Sequence, residues 1–504
     1  MKIGSLLPFA LAVAFTGTAP AQTNSCENLS SLALPNGAIS MAQSVPAGEF
    51  QLAGRAGRGG GSLNLPAFCR VAATLKPSSD SDIKMEIWLP SSGWNGNLEV
   101  NGNGGWTGSI NPASLAAGLQ RGYAAAMSDL GHEGGSASFA LGHPEKLVDF
   151  GYRAAHETTI ASKAIVAKFY TRAAKLSYWE GCSAGGRSAL MEAQRYPDDF
   201  DGIVAGSPGL NWTGRATQAV WIAQATHKSE ASFIPPSKFP LIHNAVVQAC
   251  DARDGAKDGI LEDPTRCNFD PKVLECKGAD SLACLTPEQV ETARTIYTAY
   301  PNQSDKRNIF PGFERGSELG WSTMAGPNPF VLGTDLFKFV VFQDPNWDYK
   351  TFNFSTDVAR TEKADQGMMN AMNPDLNAFL RHGGKMIQYH GWADPQIAPG
   401  SSVNYYKDVL ETMGGAAKVQ SFYRLFMVPG MAHCGGGEGT SNFDMLTAVE
   451  QWVEKGKAPE SIPASRVKNG GVDRTRPLCP YPQVAVYKGS GSIDDAANFS
   501  CRMP

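Results

Sequence analysis

Short apolar stretches recur along this chain at spacings that alternate between strand-like and helix-like. Asp82 to Leu89 alternates polar with apolar positions, and Leu98 to Val100 runs into the turn Asn101-Gly102-Asn103-Gly104-Gly105-Trp106. Gly122 to Met127 is an apolar run of small residues that ends at Ser128-Asp129, and all three stretches read as strands. Tyr152 to Tyr170 places Ala155, Thr159, Ser162, Ile165, Val166 and Phe169 at helical spacings. A strand over Leu176 to Trp179, a turn through Gly181-Cys182-Ser183-Ala184-Gly185-Gly186, a helix through Ala189, Leu190 and Ala193, and a strand over Gly202 to Ala205 follow in order. Strand, helix, strand in succession implies parallel pairing, so an α/β sheet is expected. No repeat of solenoid or propeller period interrupts this.

Between about Asn211 and Gly384 the alternation lapses, and prolines, tryptophans, glycines and four cysteines are scattered without period. Regular pattern resumes with strands over Lys385 to Tyr389 and Phe422 to Val428. The expected organisation is therefore one sheet domain, 22–210 with 385–504, interrupted by an inserted lid over 211–384. Ahead of it, Lys2, the apolar run Ile3 to Phe15 and the small residues Ala19-Pro20-Ala21 read as a signal peptide over 1–21, so the chain is expected to be secreted or periplasmic. Ten cysteines, an even number in an exported chain, then favour disulfides over a cytosolic metal or redox site. A net charge of -4 without a basic block argues against nucleic acid as a partner. No further apolar stretch is long enough to suggest a membrane helix.

Gly181-Cys182-Ser183-Ala184-Gly185 matches G-x-S-x-G, with the strand before and helix after that a nucleophile elbow requires. A serine hydroxyl needs an imidazole to take its proton and a carboxylate to orient that imidazole. Asp394 lies just past the strand ending near Tyr389, and His433 just past the strand ending at Val428, where an open α/β sheet places its active site. The order Ser183, Asp394, His433 is that of α/β-hydrolases. The backbone N–H of Ala184 would serve one side of an oxyanion hole and Gly104 or Gly105 the other. His390, four residues before Asp394, either lines the substrate pocket, serves as an alternative base or is an ordinary hydrogen-bonded histidine. Cys182 and Cys434 adjoin Ser183 and His433, and a bridge between them would tie nucleophile to base, although ten cysteines permit many connectivities.

Cys250-Asp251-Ala252-Arg253-Asp254-Gly255-Ala256-Lys257-Asp258-Gly259-Ile260 gathers three carboxylates among turn-forming glycines. Such oxygen-rich clustering suits Ca²⁺, with the carbonyls of Ala256 and Ile260 available, though the spacing is not that of an EF-hand and a solvated acidic turn is the other reading. Because the loop lies in the inserted segment, a metal there is expected to be structural and remote from the triad.

The sets Gly181 to Arg187, Asp201 to Pro208, His390-Gly391-Trp392-Ala393-Asp394, His433-Cys434 and Arg476 to Pro482 resemble the tannase and feruloyl esterase family, over about Cys26 to Cys501. The resemblance implies an α/β-hydrolase domain with a large inserted lid and a structural Ca²⁺ held by Asp251, Asp254, Ala256, Asp258 and Ile260. It implies the disulfides Cys26 with Cys69, Cys182 with Cys434, Cys250 with Cys267, Cys276 with Cys284, and Cys479 with Cys501. It also implies a small-molecule substrate, an ester of an aromatic acid: a gallate, a ferulate or mono(2-hydroxyethyl) terephthalate. Trp321, Phe339 and Phe342 are candidate pocket aromatics, with a buried lid core as the alternative. A non-catalytic, calcium-stabilised secreted binding protein and a peptidase with the same triad are the competing readings.

Overall fold

Nine strands make the main sheet among residues 24–51, 61–301 and 308–504, the parts of the chain that the computed structural model describes. They are β1 (Gly37–Val45), β2 (Phe68–Leu75), β3 (Ile83–Pro90), β4 (Asn97–Asn101), β5 (Ala124–Ser128), β6 (Leu176–Cys182), β7 (Gly202–Gly206), β8 (Lys385–Gly391) and β9 (Tyr423–Val428). Their spatial order is β1-β2-β3-β5-β4-β6-β7-β8-β9. The expected signal peptide, 1–21, lies outside the described residues.

From β5 to β9 every pairing is parallel, with Val100 opposite Ala126 and Trp179, Gly181 opposite Ala205, and Met386 opposite Ile203. The β1, β2 and β3 pairings are antiparallel, as is that of β3 with β5, so the sheet is mixed where a parallel one was expected. Helices α1 (Pro112–Gln120), α2 (Ala154–Tyr170) and α3 (Ala184–Arg195) follow β4, β5 and β6. With both faces covered, the central strands lose their polar alternation: every residue of β5 and β7 is buried. Small residues there are a packing demand, since a Cβ on Gly206 would stand 2.4 Å from the Tyr389 ring.

Among the described residues, the segment between the neighbouring strands β7 and β8 adds no strand to the main sheet. It carries α4 (Trp212–Thr226), α5 (Phe239–Cys250) and α6 (Pro287–Tyr297). Its expected irregularity is therefore only partial. Ile222, Phe239, Ile242, Val290, Phe313 and Trp321 form a core of their own, so Trp321 is a buried packing residue. Trp212, Ala216, Leu336 and Phe337 instead join the core beneath the sheet, as do the partly buried Phe339 and Phe342 at its edge. Helices α7 (Gly400–Met413) and α8 (Met445–Lys455) then flank β9, and two C-terminal hairpins, Ile462–Lys468 with Gly471–Leu478 and Val484–Tyr487 with Phe499–Arg502, close the chain.

Candidate active site

Ser183 sits between the end of β6 and the start of α3 with φ 64° and ψ -118°, a backbone conformation L-residues avoid. Its neighbours explain how the turn is held. A Cβ on Gly181 would come 2.6 Å from the Gly185 backbone, and one on Gly186 would come 2.3 Å from the Gly206 carbonyl oxygen. The Ser183 N–H donates to the Gly206 carbonyl at 2.9 Å, and its own carbonyl accepts from Arg187 and Gly209. Arg187, fully buried, donates through its two terminal nitrogens to the carbonyls of Gly151 and Phe150 at 2.8 and 2.9 Å. Those carbonyls belong to a π-helical turn, Asp149–Arg153, that replaces the expected first turn of the helix over 152–170.

His433 and Asp394 meet directly: His433 Nδ1 and Asp394 Oδ2 are 2.7 Å apart. Asp394 is fully buried, and its Oδ1 accepts from the backbone N–H groups of Gln396 and Ile397 at 2.8 and 3.0 Å. Burial alone would favour the neutral acid, but the charges and hydrogen bonds of His433 and His390 hold the carboxyl well below its ordinary range. Among the described residues Ser183 Oγ makes no hydrogen bond. What links it to the pair is covalent: Cys182 and Cys434 form a disulfide with Cα atoms 6.0 Å apart, joining the residue before the serine to the residue after the histidine. The other four bridges are Cys26–Cys69, Cys250–Cys267, Cys276–Cys284 and Cys479–Cys501.

Of the three readings of His390, the contacts seen are those of a hydrogen-bonded histidine. Its side chain is wholly buried on β8, behind Asp394. Its Nε2 lies 3.1 Å from both Asp394 Oδ2 and the Ile397 carbonyl, and its Nδ1 lies 2.7 Å from Ser402 Oγ. A carbonyl can only accept, so Nε2 carries a proton, while Nδ1 pairs with the Ser402 hydroxyl. His390 thus buttresses the carboxylate that His433 uses. The spacing of His390 and Asp394 was visible in the sequence; Ser402, eight residues past Asp394 on α7, was not. Buried Arg215 also went unread: its Nε donates to the Gln396 carbonyl at 3.2 Å, and burial pushes its pKa down to about 10 while the Asp394 charge opposes that shift.

The loop after β4 packs onto the elbow. A Cβ on Gly102 would stand 2.5 Å from Gly185 Cα, and Asn103 Nδ2 donates to the carbonyls of Thr107, Ser109 and Ser128 at 3.2, 2.9 and 3.1 Å. The loop is thereby held at Gly102 and Asn103 against Gly185 in the first turn of α3. Gly105 has φ 55°, and a Cβ there would press on Leu332 of the inserted segment.

In the acidic loop, Asp254, Ala256, Asp258 and Ile260 line one cavity of about 20 Å³ together with Glu262, Arg474 and Arg476. Asp251 is buried beside it, its carboxylate accepting from the N–H groups of Asp258 and Gly259 at 3.2 and 3.1 Å. Burial, with Asp258 and Asp251 adding to it, raises the Asp254 carboxyl to about 6, and burial raises Glu262 to about 8. Asp258 pairs with Arg476 and with Arg474. An all-oxygen donor set with more buried acid than the two guanidinium groups neutralise fits a hard divalent cation. The loop nevertheless touches the stretch of chain that leads to His433. A Cβ on Gly430 would stand 2.8 Å from Ile260 Cδ1, so the acidic loop abuts the loop that carries His433.

A family model described as tannase and feruloyl esterase matches residues 69–502. An uncharacterised esterase of Xanthomonas campestris is 41% identical, over 96% of this chain and 92% of its own length. The "Probable feruloyl esterase B-1" of Aspergillus fumigatus is 34% identical over 88% of each chain. The crystal structure of feruloyl esterase B from Aspergillus oryzae superposes with a TM-score of 0.89 at 32% identity, covering 95% of this chain and 99% of that one. With these likenesses, the mixed central sheet is that of an α/β-hydrolase.

Proposed function

Because this chain belongs to the tannase and feruloyl esterase family and is a carboxylic ester hydrolase, we propose that it hydrolyses esters of aromatic acids through an acyl-enzyme formed on Ser183. The observation that carries this reading is the elbow serine tied by the Cys182–Cys434 bridge to a histidine that is itself bonded to a buried carboxylate. Ser183 Oγ attacks the ester carbonyl while His433 Nε2 takes its proton. Asp394 holds His433 by Nδ1 and stabilises the imidazolium without being protonated itself. The tetrahedral oxyanion is met by the N–H of Ala184 and by an N–H from Gly104 or Gly105. His433 then returns the proton to the leaving alcohol, and water, activated by the same imidazole, hydrolyses the acyl-enzyme.

The segment 211–384 acts as a lid in this reading. Its support is the direct contact of that segment with the site's own loops: Trp106 Nε1 donates to the Leu332 carbonyl at 2.9 Å, and a Cβ on Gly320 would stand 2.5 Å from Pro395. Asp251, Asp254, Ala256, Asp258 and Ile260 would hold Ca²⁺, which when bound neutralises their charge and stiffens the loop. Five disulfides fit an exported protein, and no helix among the described residues is long and apolar enough to cross a membrane.

The aromatic class rests on the family and on what relatives of this chain are called. Turnover of methyl ferulate, methyl gallate and mono(2-hydroxyethyl) terephthalate, beside an aliphatic ester and an aromatic amide, tests it. Preference for one of the three aromatic esters is expected; equal or better turnover of the aliphatic ester would refute the aromatic reading, and turnover of the amide would favour a peptidase.

A further inference from the structure

Away from the serine, His156 on α2, Glu192 on α3 and Asp199 in the turn before β7 each present a ligating atom, and the three lie within 4.8 Å of one another. The arrangement is built rather than loose. His156 Nδ1 is 2.6 Å from Asp199 Oδ2, and the His156 ring is stacked on Tyr196 with centroids 3.7 Å apart and planes 9° from parallel. Glu192 is completely buried, and its carboxylate faces that of Asp199 with no N–H or hydroxyl donor to either oxygen. A carboxylate left bare in the interior is costly, so something must neutralise it: a proton or a cation. Lys163 does not fill that role, since its ammonium lies 3.9 Å from Asp199 Oδ1 and donates to the Asp199 carbonyl.

We propose that His156, Glu192 and Asp199 form a binding site for a divalent transition metal of the zinc class, tying the elbow helix α3 to α2 and to the turn that leads into β7. One imidazole and two carboxylates with a water in the fourth position suit Zn²⁺, with bonds of about 2.0–2.2 Å. Neighbouring ligands of such an ion lie roughly 3.3 Å apart, so the His156–Asp199 pair would open by under about 1 Å. The His156 side chain is 24% exposed, which leaves a route in from solvent. The donors differ from those of the acidic loop, where oxygen alone is offered.

The test uses the full, disulfide-bonded protein, stripped of metal by chelator and then kept in excess Ca²⁺ so that the acidic loop is served throughout. Zn²⁺ is titrated calorimetrically, and thermal unfolding is followed in parallel. One Zn²⁺ per chain and a raised Tm are expected. Affinity should fall by more than about tenfold in both His156→Asn and Glu192→Gln, since losing even an outer-shell partner reaches that range. Ester turnover in Ca²⁺ should be unchanged, because neither residue touches the site of reaction. His156→Asn alters a part-exposed residue and carries the test if Glu192→Gln does not fold. No Zn²⁺ binding by the wild type, or binding of wild-type strength in His156→Asn, would overturn the proposal. So would a metal-insensitive wild type accompanied by a Glu192→Gln variant as stable as it, which would identify a proton shared between Glu192 and Asp199 as the neutraliser.

Discussion

Each residue that the proposed reaction needs is held by groups with no chemistry of their own, and that separates two kinds of substitution. Ser183→Ala removes one hydroxyl that makes no hydrogen bond among the described residues, on a turn whose backbone is set by Gly181, Gly185 and Gly186. Ester turnover should fall by on the order of 10³-fold or more while thermal unfolding stays put. A folded variant with near-native turnover would exclude Ser183 as the nucleophile. His390→Ala removes a positioning residue instead. Asp394 would keep His433 and two backbone N–H groups but lose the ring that fixes its outer oxygen, and a misplacement of about 1 Å is worth up to ~10²-fold. A fall in kcat with little change in KM is expected. His390 also helps keep the Asp394 carboxyl ionised, and an unchanged kcat would show that the histidine merely fills space.

At the scale of elements, the Cys182–Cys434 bridge and the acidic loop both bear on the His433 loop. Replacing both cysteines with Ala leaves every proposed catalytic group in place, so a positioning role predicts that kcat drops at temperatures where the variant is still folded. A generic staple predicts lower Tm with unchanged turnover, and measuring both on one preparation separates the two. For the acidic loop, chelation or Asp254→Ala should lower Tm, since a ligand bound only to the native state stabilises it by about 2.7 kcal/mol at 100 times its Kd. Contact of Ile260 with Gly430 means that kcat should fall as well. An unshifted Tm in both experiments would remove the metal from that loop. The parts of the fold near the chemistry were legible because their strands are buried runs that end at Ser183, Asp394 and His433. Strands β1 and β2 were not: β1 is an edge strand with mostly small or polar residues, and β2 places Arg70 outward to pair with Glu86 across the sheet at 2.6 Å. The helices of 211–384 were hidden by prolines that read as breakers but stand at helix starts, as Pro287 does beside the capping box of Thr286 and Gln289. Contacts such as His390 with Ser402 come from tertiary packing, which no local spacing encodes.

Across the whole molecule, the inserted segment is fastened to the catalytic side by a charged cluster that responds to pH. Buried His243 on α5 bonds Glu318 by Nδ1 and Glu438 by Nε2, both at 2.9 Å, and Glu438 lies five residues beyond His433. Glu318 is fully buried and also accepts from Tyr297 Oη at 2.6 Å. Burial by itself disfavours the imidazolium, but the two carboxylates outweigh it and raise the His243 pKa from an ordinary 6.5 to about 9. His243 in turn lowers Glu438. Since the folded state binds this proton more tightly than the unfolded chain, the contribution to stability is complete below pH 6.5 and is lost as pH rises through about 9. The Glu438 side chain is 53% exposed, and solvent screening there reduces the contribution to on the order of 1–2 kcal/mol. Denaturant unfolding of the wild type and of His243→Gln, measured at intervals from pH 6 to pH 9.5, isolates this group from every other titration the two proteins share. The gap between the curves should close as pH rises, because the wild type alone loses a bound proton; a gap that stays constant would mean that His243 is not charged in the native state. If the cluster also steadies the His433 loop, wild-type kcat should decline over the same alkaline window, while His243→Gln should start lower and show no such step.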